Sequence, residues 1–167
     1  MNELARKRHF PPVVDARTRV LVLGSLPGEA SLQAGRYYAN PRNGFWALIG
    51  AVIRCDLVGM DYEARLAALL ERGVGLWDTV AEAERTGSLD ADIRNARAAD
   101  PPGLAATLPE LRALAFNGAA AAKTGVRALG EGAGRWTLVT LPSSSPARAI
   151  PFEAKLAEWT ALRTFLD

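Results

Sequence analysis

The residues with the clearest capacity for chemistry lie in the segment Tyr37–Trp46, which reads Tyr-Tyr-Ala-Asn-Pro-Arg-Asn-Gly-Phe-Trp. Asn43 could cap a helix that begins at Phe45, and the aromatic pair at that helix start is expected in the core. Those structural roles leave Tyr38 and Asn40 unexplained. An aromatic ring beside amide side chains suits a pocket for a planar heterocycle that forms hydrogen bonds. The segment therefore predicts a binding site for such a ring.

Four apolar, strand-like runs each end in a short polar or glycine-containing segment. The runs are Arg19–Leu23, Val74–Trp77, Leu111–Phe116 and Trp136–Leu141. The segments that follow them are Gly24–Gly28, Asp78–Thr79, Asn117–Gly118 and Pro142–Pro146. In an open parallel sheet, ligands bind outside the carboxyl ends of the strands. The four segments are therefore expected to converge on one crevice.

The elements that must position these residues alternate between strand and helix. Helical patterns cover Phe45–Arg54, Tyr62–Arg72, Ala119–Leu129 and Phe152–Leu166. In the last of these, Lys155 is predicted on the polar stripe, opposite an apolar stripe that contains Trp159. This alternation predicts an α/β three-layer sandwich, with a mostly parallel four-stranded sheet and helices on both faces. We expect a single domain over residues 1–167, of which residues 1–18 form a basic leader.

The composition is that of a globular protein, with 49% hydrophobic and 23% charged residues. A net charge of +2 and a pI near 9 permit nucleic-acid binding without requiring it. The basic run Arg6–Arg8 could contact nucleic acid or be a solvated tail. No apolar run approaches the ~20 residues of a membrane span, and the N-terminus lacks the apolar region of a signal peptide. We therefore expect a cytoplasmic protein that does not enter a membrane.

The chain has one cysteine, Cys55, and one histidine, His9. A disulfide within the chain is therefore impossible, as is a zinc or iron–sulfur site built by one subunit from cysteine and histidine. His9 lies near the terminus in a basic segment, which disfavours it as a catalytic base. We expect neither a metal nor another cofactor.

The glycine-containing turn Gly24–Gly28 matches no nucleotide-binding or nucleophile motif. It lacks the Gly-x-Gly-x-x-Gly fingerprint and the Gly-Lys-Ser/Thr ending of a P-loop. Ser25 directly follows the first glycine, unlike the serine of a nucleophile elbow, and no suitable histidine accompanies it. A small hydrolase that uses Ser25 is therefore disfavoured, and the turn indicates only a close approach of another molecule to the backbone.

Four motifs occur in a fixed order: Gly-Ser-Leu-Pro-Gly at 24–28, Tyr-Tyr-Ala-x-Pro-x-Asn-x-Phe-Trp at 37–46, Phe-Asn-Gly at 116–118 and Leu-Pro-Ser-Ser-Ser-Pro-Ala at 141–147. Together they resemble the uracil-DNA glycosylase superfamily, and most nearly its hypoxanthine (deoxyinosine) branch. Gly-Leu-Trp-Asp at 75–78 and Gly-Ser-Leu-Asp at 87–90 also look like that branch. The mismatch-specific uracil/thymine glycosylases are next nearest; they share Pro-x-Asn-x-Phe-Trp but carry Gly-Ile-Asn-Pro-Gly at the first motif.

The resemblance implies a monofunctional DNA glycosylase that flips a deaminated base, uracil or hypoxanthine, out of double- or single-stranded DNA and leaves an abasic site in base excision repair. A monomer is expected. Tyr38 is expected to stack on the base, and the Asn117 amide to read its edge. The residues expected to line the base through their backbone are Gly24, Ser25, Leu26 and Gly28. The residues expected to enter the minor groove or contact DNA are Ser143, Ser144, Ser145, Pro146 and Arg148.

The sequence departs from better-known members of the superfamily at two catalytic positions. Leu26 stands where mismatch-type enzymes have an asparagine that positions water, and serines replace the histidine of fast uracil enzymes in the Pro142–Pro146 segment. An asparagine carbonyl can orient a water. The resemblance to the hypoxanthine branch implies this role for the asparagine of Pro-x-Asn-x-Phe-Trp, so Asn43 is the first candidate. Asp78 is the competing base, unless it only caps a helix that begins at Thr79. Asp90 is a weaker third candidate.

The sequence leaves open the role of Arg148 and the choice between an enzyme and a binding module. Arg148 could fill the space that the flipped base vacates, or it could contact a phosphate. No lysine falls in the motifs, so a lyase step through a Schiff base is not expected. The alternative to an enzyme is a nucleotide- or base-binding α/β module without chemistry, which would have no need of a segment that enters a DNA groove.

Overall fold

A computed structural model describes residues 6–8, 10–85 and 93–167 of the chain. The strands are β1 (Arg6–Arg8), β2 (Val20–Gly24), β3 (Val74–Asp78), β4 (Val80–Arg85), β5 (Ile93–Ala98), β6 (Ala113–Asn117) and β7 (Thr137–Leu141). The α-helices are α1 (Glu29–Ala34), α2 (Phe45–Ile53), α3 (Tyr62–Glu71), α4 (Pro101–Ala106), α5 (Ala119–Leu129), α6 (Phe152–Trp159) and α7 (Arg163–Leu166). Short 3-10 helices lie at Gly130–Arg135 and Thr160–Leu162.

The central sheet has four strands in the order β3-β2-β6-β7, and all of its pairs are parallel. Strand β2 is buried along its whole length because neighbouring strands and helices cover it on every side. Its sequence Val-Leu-Val-Leu-Gly is accordingly apolar on both faces, as in interior parallel strands. The predicted strands are confirmed to within two residues at each boundary.

Two apolar cores cover the two faces of this sheet. One contains Val20 and Val22 of β2 with most of α2 and residues of α3 and α6. The other contains Leu21 and Leu23 of β2 with residues of α4 and α5. The alternation of side chains along β2 therefore sends successive residues into opposite cores. The predicted three-layer α/β sandwich is confirmed, with a sheet that is fully rather than mostly parallel.

A second sheet and the short helices α1 and α4 were not predicted from the sequence. Strands β1, β4 and β5 form a separate antiparallel sheet in the order β1-β4-β5, so the basic run Arg6–Arg8 belongs to a strand. The β4 sequence Val-Ala-Glu-Ala-Glu-Arg is rich in residues that favour helices, which hides the strand. Helix α1 has only six residues and ends at Gly35, whose φ of 67° is left-handed.

No helix in the described part of the chain combines the length and the apolar character that a membrane crossing requires. His9 and the Gly-Ser-Leu-Asp motif at 87–90, with the third catalytic candidate Asp90, lie outside the described residues.

Candidate active site

A cavity of about 490 Å³ opens at the carboxyl edge of the four-stranded sheet. The register explains why the strand ends meet there, since Gly24 of β2 pairs with Asp78 of β3 and Asn117 of β6 pairs with Leu141 of β7. Apart from Asp90, the site residues predicted from the sequence all line this cavity: Gly24, Ser25, Leu26, Gly28, Tyr38, Asn43, Asp78, Asn117, Ser143, Ser144, Ser145, Pro146 and Arg148. The crevice that the sequence predicts is therefore present, while the individual roles of its residues stay predictions.

At the floor of the cavity, Gly24 allows two polar side chains to come close to the backbone. A Cβ atom at Gly24 would lie 2.8 Å from Oδ1 of Asp78 and 3.3 Å from the Tyr38 hydroxyl. A side chain at this position would displace a buried carboxylate, because Asp78 is only 3% exposed. Glycine is therefore required here for the close approach of Asp78 and Tyr38.

The suggestion that Asp78 caps a helix is wrong. Asp78 ends β3, and β4 begins two residues later at Val80, so no helix starts there. The chain continues from one sheet to the other, with the Thr79 N–H donating to the Gly24 carbonyl at 2.7 Å. Asp78 is instead a buried carboxylate that lines the cavity.

Tyr38 is held in place by the aromatic residues that begin α2. Its ring stacks on Phe45 with centroids 3.7 Å apart and an angle of 12° between the planes. The Trp46 indole N–H donates to the Tyr38 carbonyl at 3.1 Å. Phe45 and Trp46 are buried, as predicted. Tyr38 therefore belongs to the aromatic cluster at the start of α2 and also lines the cavity.

Asn43 precedes the N-cap residue Gly44 of α2 and contacts the start of that helix, while its role towards water stays a prediction. Its side-chain oxygen accepts a hydrogen bond from the Phe45 N–H at 2.9 Å, which satisfies one of the first amides of α2. Its side chain also lines the cavity. An amide oxygen has two lone pairs, so one hydrogen bond to Phe45 leaves capacity for a second donor.

Asn117 and Ser144 form a buried pair between β6 and the segment after β7. The Ser144 N–H donates to Oδ1 of Asn117 at 2.9 Å, and Nδ2 of Asn117 donates to the Ser144 hydroxyl at 2.9 Å. The second Nδ2 hydrogen points to the Tyr38 hydroxyl at 3.3 Å. The Asn117 amide is thus oriented by two short bonds and one longer one.

Residues Pro142–Arg148, which we call the serine loop, form one side of the cavity through short turns. The N–H groups of Ser145 and Ala147 donate to the hydroxyls of Ser143 and Ser145 at 3.1 and 3.2 Å. The Arg148 N–H donates to the Ser145 carbonyl at 3.0 Å. Serine in these positions therefore organises the loop backbone locally.

The prediction that Lys155 lies on a polar, exposed stripe is wrong. Lys155 is only 6% exposed, and its Nζ donates to the Ser145 carbonyl at 3.1 Å. The prediction put Lys155 opposite Trp159, but residues four apart share one face of a helix, and the serine loop packs over that face of α6. Burial lowers the pKa of the Lys155 ammonium, and the nearby Arg148 lowers it further.

The sequence analysis did not single out Tyr37 or Ser31, although both line the cavity. The Tyr37 hydroxyl donates to the Pro11 carbonyl at 3.0 Å, and burial followed by the charge of Asp78 raises its pKa far above the usual value. The Ser31 hydroxyl accepts the Ala39 N–H at 3.0 Å. Tyr37 could have been inferred from its position beside Tyr38, whereas Ser31 lies in the unpredicted helix α1.

Within the described ranges, no group of three or more His, Cys, Asp or Glu side chains is arranged to hold a metal ion. Cys55 is partly buried and has a free thiol, with its Sγ 3.8 Å from Sδ of Met60. Among the described residues, the polar side chains that line the cavity carry amides, hydroxyls, the buried carboxylate of Asp78 and the guanidinium of Arg148.

Comparison with known proteins relates this site to enzymes that act on DNA. The family model described as the uracil DNA glycosylase superfamily matches residues 11–165. A hypoxanthine DNA glycosylase of Methanosarcina acetivorans is 40% identical over 156 residues, which cover 93% of this chain and 97% of that protein. A hypoxanthine DNA glycosylase of Methanosarcina barkeri is 40% identical over 113 residues, or 68% of this chain and 72% of that protein.

A solved structure supports the same relationship. The solution NMR structure of a uracil DNA glycosylase candidate from Methanosarcina acetivorans superposes with a TM-score of 0.85 at 38% identity. The match covers 96% of this chain and 99% of that one.

Proposed function

The chain belongs to the uracil DNA glycosylase superfamily and is a DNA glycosylase, and we propose that the base it removes is hypoxanthine, the product of adenine deamination. The observation that carries this proposal is the convergence of Tyr38, Asn43 and Asn117 on one cavity at the carboxyl edge of the sheet. An aromatic face, a water acceptor and a base-reading amide are the groups that excision of a flipped base requires.

In the proposed reaction, the damaged nucleotide leaves the duplex and its base enters the cavity against the face of Tyr38 that Phe45 does not cover. Asn117 reads the edge of the base. Of its two Nδ2 hydrogen bonds, the 3.3 Å bond to Tyr38 is the one that an incoming base can replace, while the 2.9 Å bond to Ser144 keeps the amide oriented. Hypoxanthine offers an oxygen acceptor and an N–H donor on that edge, which match the two ends of an amide.

The chemical step is hydrolysis of the bond between the base nitrogen and C1′ of the sugar. The oxygen of a water forms a bond to C1′ while the electron pair of the glycosidic bond leaves with the base, and the base then takes up the proton that the water releases. We assign the orientation of this water to Oδ1 of Asn43, whose contact with the Phe45 N–H fixes its position. Asp78 is the competing acceptor, since its carboxylate is also buried at the cavity floor.

The reaction is expected to stop at the abasic site. Lys123 lies exposed on α5, and Lys155 is buried beneath the serine loop. Neither side chain lines the cavity, so neither is placed to form a Schiff base with the opened sugar.

The test is a base-excision assay on duplexes that contain hypoxanthine, uracil, xanthine or mismatched thymine, each opposite every partner base, and on the matching single strands. We expect the fastest excision from deoxyinosine. Tight binding without cleavage of any of these bases would favour the non-catalytic base-binding module, and faster release of uracil would change the assigned substrate within the superfamily.

A further inference from the structure

The serine loop is held from below by donors that come from two different helices. The Trp159 indole N–H donates to the Pro142 carbonyl at 2.9 Å, and the Lys155 ammonium donates to the Ser145 carbonyl at 3.1 Å. The Gly44 N–H, at the start of α2, donates to the Ser144 carbonyl at 3.0 Å. Three carbonyl groups of one short loop are therefore fixed by partners distant in sequence.

Two of these donors share one face of α6. Lys155 and Trp159 are four residues apart, which places their side chains side by side one helical turn apart. Both are buried, at 6% and 0% exposure, under the loop that they contact. Helix α6 therefore presents a pair of donors spaced to hold both ends of the segment Pro142–Ser145.

The burial of the Lys155 ammonium is unfavourable unless other hydrogen bonds replace those that it made with water. In the described part of the chain Lys155 has no carboxylate partner within ion-pair distance, and its partner is the neutral Ser145 carbonyl. That carbonyl also accepts the Arg148 N–H at 3.0 Å, so it anchors the turn that carries the Arg148 guanidinium. The position of Lys155 thus controls the shape of the turn on which Arg148 lies.

We propose that Lys155 is a positioning residue for base excision, which orders the turn Ser145–Arg148 so that the serine loop is preformed when it meets DNA. The inference rests on the proposed function, because it assumes that this loop enters the groove. A loop that is already ordered avoids the loss of conformational freedom on binding that a mobile loop incurs. Lys155 acts through the Ser145 carbonyl, and it does not touch the base or the sugar.

The experiment compares Lys155→Met, which keeps most of the aliphatic stem and removes the donor, with Lys155→Arg, which keeps both charge and donor. Lys123→Met is the matched control because it removes the same charge from an exposed position of α5. Each variant is measured for hydrogen exchange in residues 142–149, for the Kd of an abasic duplex, for the single-turnover excision rate at saturating enzyme and for the thermal midpoint.

For Lys155→Met we expect faster exchange confined to residues 142–149 and an abasic-duplex Kd weakened by about ten- to a hundredfold, as for the loss of a hydrogen bond to a charged group. Lys155→Arg should recover most of the binding, and Lys123→Met should match the unmodified protein. If the Met variant does not fold, Lys155→Gln replaces it, with the same expectations for exchange and binding.

Unchanged loop exchange and unchanged duplex binding in Lys155→Met would overturn the proposal. It would equally be overturned if exchange rose throughout the chain and Lys155→Arg gave no rescue, because Lys155 would then stabilise the fold in general. Failure of the proposed function looks different: the unmodified protein would excise none of the tested bases, while loop exchange and abasic-duplex binding would still show whether Lys155 orders the loop.

Discussion

Two segments that line the cavity are held in place by different physical means. The segment Tyr37–Gly44 is fixed by aromatic packing, in which Tyr38 stacks on Phe45 at the start of a buried helix. The serine loop is fixed by hydrogen bonds to its backbone carbonyls from α6 and from the start of α2. The aromatic segment thus packs directly against core residues of α2, while the serine loop lies over α6 and is held by single hydrogen bonds.

This difference predicts that the two segments contribute differently to activity, one to chemistry and stacking and the other to DNA binding. Aromatic packing holds Tyr38, and a hydrogen bond from the Phe45 N–H holds Asn43. Because we propose that these residues act on the flipped base and on the water, substitutions there are expected to change chemistry and stacking without loosening the loop. The serine loop depends on individual hydrogen bonds from α6 to its carbonyls, so substitutions beneath it are expected to change loop order and DNA affinity. The following predictions test that separation.

The largest effect is expected from Asn43→Ala, which should lower the single-turnover excision rate by roughly two to three orders of magnitude, the range for one oriented polar group lost from a preorganised site. Asn43→Asp should retain part of the rate, because a carboxylate accepts from water and also from the Phe45 N–H that Asn43 now caps. The single-turnover excision rate at saturating enzyme measures the hydrolysis step separately from DNA binding.

Binding of the Asn43 variants to an abasic duplex and loop exchange over residues 142–149 serve as controls, and both should stay close to those of the unmodified protein. A mild Asn43→Ala defect beside a severe Asp78→Asn defect would reverse the assignment and make Asp78 the group that activates water.

Tyr38→Ala should have the next largest effect, because it removes the ring on which the base is proposed to stack. Loss of one such contact is worth ~1–3 kcal/mol in binding of an extruded base. Tyr38→Phe is the matched variant: it keeps the ring and its stacking on Phe45 and removes the hydroxyl, which contacts Asn117 at 3.3 Å. Affinity for a duplex with a flipped-out base analogue measures the difference. A folded Tyr38→Ala protein that excises at the unmodified rate would place the base elsewhere.

Asp78→Asn should be milder than Asn43→Ala, with excision lowered by about tenfold, since it exchanges a charged hydrogen-bond acceptor for a neutral one of similar shape. The substitution also removes the charge that contributes to the raised pKa of Tyr37. The Tyr37 pKa is therefore expected to fall in Asp78→Asn, while burial keeps it above the usual value. The single-turnover excision rate of Asp78→Asn at saturating enzyme measures its effect on chemistry, and a loss larger than that of Asn43→Ala would contradict this order of effects.

The smallest effect is expected from removal of metal ions and modification of Cys55. Extended EDTA treatment followed by thiol alkylation should leave excision unchanged, because the described residues that line the cavity include neither cysteine nor histidine. Loss of activity with EDTA that a divalent cation restores would contradict this prediction and would require a metal site with a different set of ligands.

Much of the fold could be predicted because it depends on local patterns. The strand β2 and the helix α2 are almost continuously apolar, and that composition is typical of elements buried on all sides. The antiparallel sheet could not be predicted, since the β4 sequence is rich in alanine and glutamate, which favour helix over strand.

The sequence by itself determined which motifs meet at the cavity, because strand ends of a parallel sheet share one edge and each motif directly follows a strand or precedes a helix. Only the tertiary structure decided what each side chain contacts. It showed that Asp78 leads into a strand and caps no helix, and that Lys155 is buried beside Trp159 under the serine loop. Helical periodicity places Lys155 and Trp159 on one face of α6 but does not say which segment covers that face, because burial and hydrogen bonding depend on tertiary packing.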